Sequence, residues 1–153
     1  MSVTEAAANA ARGLLRTERH GVLATLSRRR EGWPFASLAP YALSAAGEPL
    51  LLLSDLAEHT RNLVVDPRAS LFVRDSSAMA HDPQAGARLT LLGRVEPVDD
   101  PADAQQRYVA RHPSAAEYLG LSDFRFFVLR VTEARYIGGF GDMGWIDLSR
   151  PPG

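Results

Sequence analysis

The chain has 153 residues, 46% of them hydrophobic, and a formal net charge of −1. That length and composition suit one folded domain with a proper core, and the near-zero charge gives no long-range attraction for nucleic acid. With no cysteine, disulfides, thiolate metal sites and cysteine nucleophiles are excluded.

In chain order, Thr4 to about Glu18 predicts a helix, with Thr4 as N-cap, Glu5 in the first turn and a run of alanines. Gly21 stops it, and "GVLATLS" follows as a strand. The triplet Arg28 to Arg30, followed by Glu31 and Gly32, predicts a hairpin tip rather than a nucleic-acid patch. "WPFASLAPYAL" alternates, with Phe35, Ser37, Ala39 and Tyr41 on one face, and its prolines predict an edge or bulged strand. "AAGEP" is a turn and "LLLLS" a short strand buried on both faces.

"DLAEHTRNLVV" predicts a helix ended by Asp66-Pro67, and "ASLFVRD" the next strand. A loop leads to the long strand "RLTLLGRVEPV". "DDPADAQQRYVARHP" predicts a helix bracketed by prolines, "SAAEYLG" a short one, and "FRFFVLRVTEARYIGG" the last strand. Strands in hairpin-like succession predict an antiparallel barrel with peripheral helices, a mainly β fold, with the barrel at about residues 21–146.

No apolar run is long enough to span a bilayer, and the first residues lack the pattern of a signal peptide, so the expected compartment is the cytoplasm. No G-x-G-x-x-G follows a strand, and "GGFGDMG" has neither a lysine nor a helix behind it. The histidines, His20, His59, His81 and His112, have no ligand spacing, so no metal site is expected. There is no G-x-S-x-G elbow, and no catalytic residue stands out.

The segment "SDLAEHTRNLVV" admits two readings. A strand end followed by a helix start offers free N–H groups and a positive dipole end, where Ser54, His59, Thr60 and Arg61 could hold an anion. Equally, Asp55 and Glu58 form a capping box and Arg61 faces water.

"WPFASLAPYAL", "PLLLLSDLAEHTRNLVVDPRASLFV", "GARLTLLGRVEPV" and "YIGGFGDMGWI" occur in that order from about Gly21 to Ile146. Together they resemble the FMN-binding split-barrel family of pyridoxamine 5'-phosphate oxidase-like proteins, and more narrowly its branch associated with haem utilisation. The resemblance implies a six-stranded antiparallel split barrel, a homodimer with a flavin site at the subunit interface, and a small-molecule ligand. Carried over by position, it implies that Ala36, Ser37 and Leu38 run beside the isoalloxazine ring. Ser54, His59, Thr60, Arg61 and Asn62 lie round the FMN phosphate, and Arg88 reaches the cofactor.

Two departures qualify what the family implies. His59 stands seven residues before Asp66, where the oxidases usually place a lysine, and the tail "WIDLSRPPG" carries a single arginine. The implied function is an FMN-dependent oxidoreductase of unassigned substrate. The alternatives are a haem-binding or haem-utilisation protein on the same fold and a non-catalytic flavin binder. Haem-binding members use a histidine from a C-terminal extension, and this chain has none after His112. That leaves His20, His81 or His112 for iron, and Phe140, Met143 and Trp145 as candidates to line a pocket for a flat ligand.

Overall fold

The computed structural model describes residues 3–77, 82–139 and 143–149. Eight strands form one antiparallel sheet: β1 (His20–Leu26), β2 (Pro34–Pro40), β3 (Ala42–Leu43), β4 (Pro49–Ser54), β5 (Arg68–Arg74), β6 (Arg88–Pro97), β7 (Phe124–Ile137) and β8 (Met143–Ile146). Their order is β2-β1-β5-β6-β7-β4-β3, with β8 also pairing with β7. Six strands are long and two are short, which agrees with the expected six-stranded split barrel. The ends of the sheet approach each other where β2 nears β4, and no ladder joins them among the described residues. Helices α1 (Val3–Thr17), α2 (Glu58–Val65) and α3 (Pro101–Arg111) and a 3-10 turn (Pro113–Glu117) are peripheral.

The period-2 pattern of the strands determines the core. Leu23 of β1 faces Leu71 of β5, which faces Leu91 of β6, and all three are fully buried. Ala11, Leu14 and Leu15 of α1 and Leu63 of α2 pack against this layer. A second cluster places Ala104 and Tyr108 of α3 on Leu50 and Val128. Among the described residues no helix is long and apolar enough to cross a membrane.

Several boundaries differ from the sequence-based expectation, each for a physical reason. Thr4 lies inside α1 rather than capping it. Gly21 belongs to β1, where a Cβ would stand 2.6 Å from the Phe72 carbonyl oxygen, so its smallness serves strand packing rather than helix termination. "WPFASLAPYAL" breaks at Tyr41: β2 pairs with β1, while β3 pairs with β4. The buried Tyr41 hydroxyl donates to the Leu15 carbonyl at 2.8 Å, pinning this switch to α1. Its prolines sit at the two ends of β2, the edge of the sheet, as expected. The short helix expected at "SAAEYLG" is a 3-10 turn that starts at Pro113. β8 was not anticipated.

The start of α2 overturns the capping-box reading of its first turn. The helix begins at Glu58, with Ala57 as an N-cap that makes no side-chain cap bond, so the Asp55–Glu58 capping box does not form. Asp55 instead pairs with Arg125 at 2.8 Å. Residues 55–57 form a turn hung on Ser54, whose hydroxyl accepts from Leu56 N at 3.1 Å and whose carbonyl accepts from Ala57 N at 3.1 Å.

Candidate functional site

Edge strand β2 and the first turn of α2 meet in one hydrogen bond. Ser37 Oγ lies 3.0 Å from His59 Nδ1, linking positions 22 residues apart. Alternation along β2 turns Ser37 inward and leaves Ala36 and Leu38 exposed. The His59 ring is half-buried, and that burial holds its pKa below the ordinary 6.5, so the imidazole is neutral at pH 7.

Helical rotation then separates the residues that the sequence places in a row. Thr60 and Asn62 are turned into the protein, at 1% and 0% exposure, while Arg61 between them is exposed. Asn62 Oδ1 accepts from the Arg28 backbone N–H at 3.0 Å, and its Nδ2 donates to Thr25 Oγ1 at 3.0 Å. Its amide thus ties α2 to β1 and to the β1–β2 hairpin tip. Thr60 Oγ1 is buried without a hydrogen-bond partner among the described residues. The Arg61 guanidinium has no side-chain partner among them either.

Ser54 donates to Asp123 Oδ2 at 2.7 Å and belongs to the turn before α2. Arg88 lies elsewhere, at the start of β6 opposite Arg74 and Ile137, where its guanidinium donates to the Gln84 carbonyl at 2.7 Å. Of the nine expected cofactor positions, the structure joins Ser37 of β2 to His59 of α2 by a hydrogen bond, with Ala36 and Leu38 flanking Ser37 on β2, while Thr60 and Asn62 of α2 are turned inward and Asn62 bonds to Thr25 and Arg28 instead. Ser54 and Arg88 bond elsewhere, to Asp123 and to the Gln84 carbonyl, and Arg61 of α2 is exposed. Thr25 and Arg28 were not anticipated, and only their proximity to a predicted hairpin tip hinted at them.

The other histidines are differently placed. His112 Nε2 lies 2.6 Å from the Tyr41 carbonyl oxygen, and its ring stands 4.8 Å from that of Tyr108. His20 is exposed at the start of β1. His81 and Phe140 lie outside the described residues. Met143 and Trp145 of β8 are exposed, with the Arg135 guanidinium 5.6 Å from the centre of the Trp145 ring. No group of three or more metal-binding side chains occurs among the described residues.

The outer face of the sheet carries a groove of about 560 Å³, lined by Ala24, Leu26, Pro34 and Leu92 together with the charged side chains Arg68, Arg94 and Glu133. Arg68 is paired with Asp66 at 2.6 Å, and Arg94 has no side-chain hydrogen bond among the described residues. Mostly apolar walls with cations among them suit a flat ligand that carries anionic groups.

With this geometry in place, comparison with known proteins decides the family. The family model described as "CREG, beta-barrel" matches residues 2–150. The chain belongs to that family. A chloroplastic haem oxygenase of Arabidopsis thaliana, HOZ, is 36% identical over 123 residues, covering 78% of this chain and 36% of the relative. This chain thus spans about a third of that protein's length. The structure of a haem-binding protein from Mycobacterium smegmatis superposes with a TM-score of 0.84 at 41% identity, covering 91% of this chain and 57% of the other. A pyridoxinephosphate oxidase family structure from Clostridium acetobutylicum, 15% identical with a TM-score of 0.70, shares the fold, covering 94% of this chain and 96% of the other. The split-barrel resemblance and its haem-utilisation branch are both borne out.

Proposed function

We propose that this chain is a haem-binding protein of the split-barrel fold, rather than the FMN-dependent oxidoreductase that its motifs first imply. The observation that carries the reading is the kinship at 41% and 36% identity, over most of this chain, with proteins described as haem-binding and haem oxygenase. The flavin reading has the fold in its favour, but one fold hosts many ligands. It also meets the departure at His59, a half-buried neutral imidazole where the oxidases usually carry a lysine.

The described residues fit haem chemically. A mostly apolar groove with arginines in its lining matches a flat macrocycle with carboxylates on one edge. The outer sheet face also exposes Val22, Leu38 and Leu92, and such a face supports a homodimer that closes over the ligand. When bound, haem supplies the redox chemistry of its iron, and the chain supplies burial, orientation and an axial donor.

Titration of the purified chain with hemin and with FMN in parallel tests the proposal, with molar mass followed by light scattering. The expected result is stoichiometric haem binding with a defined Soret band, weak FMN binding and the mass of a dimer. Tight FMN binding with only diffuse haem association would overturn the reading in favour of the flavoprotein. A monomeric mass for the haem-loaded protein would remove the homodimer from it.

A further inference from the structure

We infer that, given the haem reading on which this rests, Arg94 takes a carboxylate of the ligand in the groove and Glu133 fixes which way round the ligand lies. Three arginines stand side by side across three strands. Arg94 of β6 has Arg68 of β5 as its Cα partner on one side and Arg130 of β7 on the other. Directly opposed residues of an antiparallel ladder share a face, and like charges placed so are destabilising.

The outer two arginines are compensated and the central one is not. Arg68 is held by both oxygens of Asp66, at 3.0 Å from its Nε and 2.6 Å from its Nη2. Arg130 reaches Glu96 at 2.9 Å, and Glu48 and Asp99 at 3.3 Å each. Arg94 is exposed, makes no side-chain hydrogen bond or ion pair among the described residues, and touches Asp66 only through its charge at longer range. The sheet thus carries a repulsive row whose middle charge no described carboxylate meets at contact distance. A ligand carboxylate meets it well, because a guanidinium offers two parallel N–H donors to one carboxylate.

The other walls of the groove set a direction. Ala24 and Leu26 of β1 and Pro34 of β2 line it on the far side of β5 from Arg94. An apolar edge therefore lies over β1 and β2, and an acidic edge over β5 and β6. Glu133 of β7 is the Cα partner of Leu92, two residues before Arg94 on β6, and it is exposed with no ion pair among the described residues. A carboxylate turned toward β7 meets that like charge. Attraction at Arg94 and repulsion at Glu133 together select a planar apolar body whose acids sit on one edge.

The test measures, by Soret titration of the full chain, the affinity for hemin and for hemin dimethyl ester, in which both carboxylates are masked. The parent is compared with Arg94→Gln and Glu133→Gln, each checked for fold by circular dichroism. Arg94→Gln is expected to bind hemin at least about fivefold more weakly, through loss of a charge-assisted pair. Glu133→Gln is expected to bind hemin about two- to threefold more tightly, the size of effect that a partly screened charge has. Both differences are expected to vanish with the ester, which the parent itself binds more weakly than hemin.

Equal hemin affinity in the parent and in folded Arg94→Gln would overturn the assignment while leaving haem binding intact. So would an equal loss for hemin and ester, since that loss comes from the shape of the groove and not from the carboxylate. Should Arg94→Gln not fold, equal affinity of the parent for acid and ester would overturn it instead. Unchanged or weaker hemin binding by Glu133→Gln would refute the orienting role. A parent protein that binds no hemin would remove the haem reading itself, and the assignment with it.

Discussion

Asn62 and Arg61 are neighbours on α2, and the structure assigns them opposite consequences. In Asn62→Ala, a fully buried amide is lost, the Arg28 backbone N–H loses its acceptor, and Thr25 Oγ1 loses its donor. Two hydrogen bonds contribute about 0.5–1.5 kcal/mol each, and a donor left unpaired adds about 1–3 kcal/mol. The expected destabilisation is therefore about 2–6 kcal/mol. For a chain of this size about 1 kcal/mol moves Tm by roughly 2–4 °C, so unfolding is expected at least about 4 °C earlier. Arg61→Ala, at an exposed and unpaired side chain, is expected to stay within about 0.5 kcal/mol of the parent. Differential scanning calorimetry of the ligand-free protein and both variants measures the contrast. A Tm drop below about 2 °C in Asn62→Ala, or equal drops in the two variants, would refute the anchoring role given to this amide.

Two further outcomes follow from the geometry. Gly93 sits at the register shift of β6 against β7, where a Cβ would come within 2.0 Å of the Arg130 carbonyl oxygen, a contact that only backbone movement relieves. Gly93→Ala is expected to cost about 3 kcal/mol or more in urea unfolding, and a cost under about 1 kcal/mol would contradict the close approach. Asp66 is held at a pKa of about 2 instead of the ordinary 3.8, chiefly by its hydrogen bonds with Arg68. A folded-state pKa below the unfolded one gives stability that is present above pH 3.8 and lost as the pH falls through about 2. Asp66→Asn is therefore expected to flatten the acid limb of the stability profile in that window, and an unchanged limb would count against the pairing.

Most of the fold was legible because most strands bury one face. In "GVLATLS", "ASLFVRD" and "RLTLLGR" the alternation alone points Leu23, Leu71 and Leu91 into the same layer. Less legible was anything that depends on a distant partner. β2 and β3 form one run in the sequence, and only the different neighbours waiting on either side of Tyr41 divide them. The uncapped start of α2 was not legible because Ser54, one turn earlier, holds the chain that leads into the helix.

The site was half legible for the same reason. "HTRN" reads as four polar residues in a row, but a helix rotates about 100° per residue, so burial alternates within it. Arg61 points out while Thr60 and Asn62 point in. One fold hosts different ligands, so the motif located a region without choosing between flavin and haem. The contact between Ser37 and His59 has no local signature, because it joins a strand to a helix across two intervening strands and the turns between them.

The strand order has a consequence for how the chain acquires its shape during synthesis. β1 and β2 are adjacent in sequence and can pair at once, and β5 and β6 can then complete a four-stranded half as soon as Pro97 has been made. β4 has no such opportunity. Its partners are the two residues of β3 and the distant β7, so "PLLLLS" remains an apolar segment without its main neighbour until Phe124 and the residues after it emerge. The sheet is thus closed late, by one 14-residue strand that joins both halves. Substitutions in β7 should harm the yield of folded protein more than substitutions of equal burial in β1, because they prolong the interval in which β4 is open to aggregation.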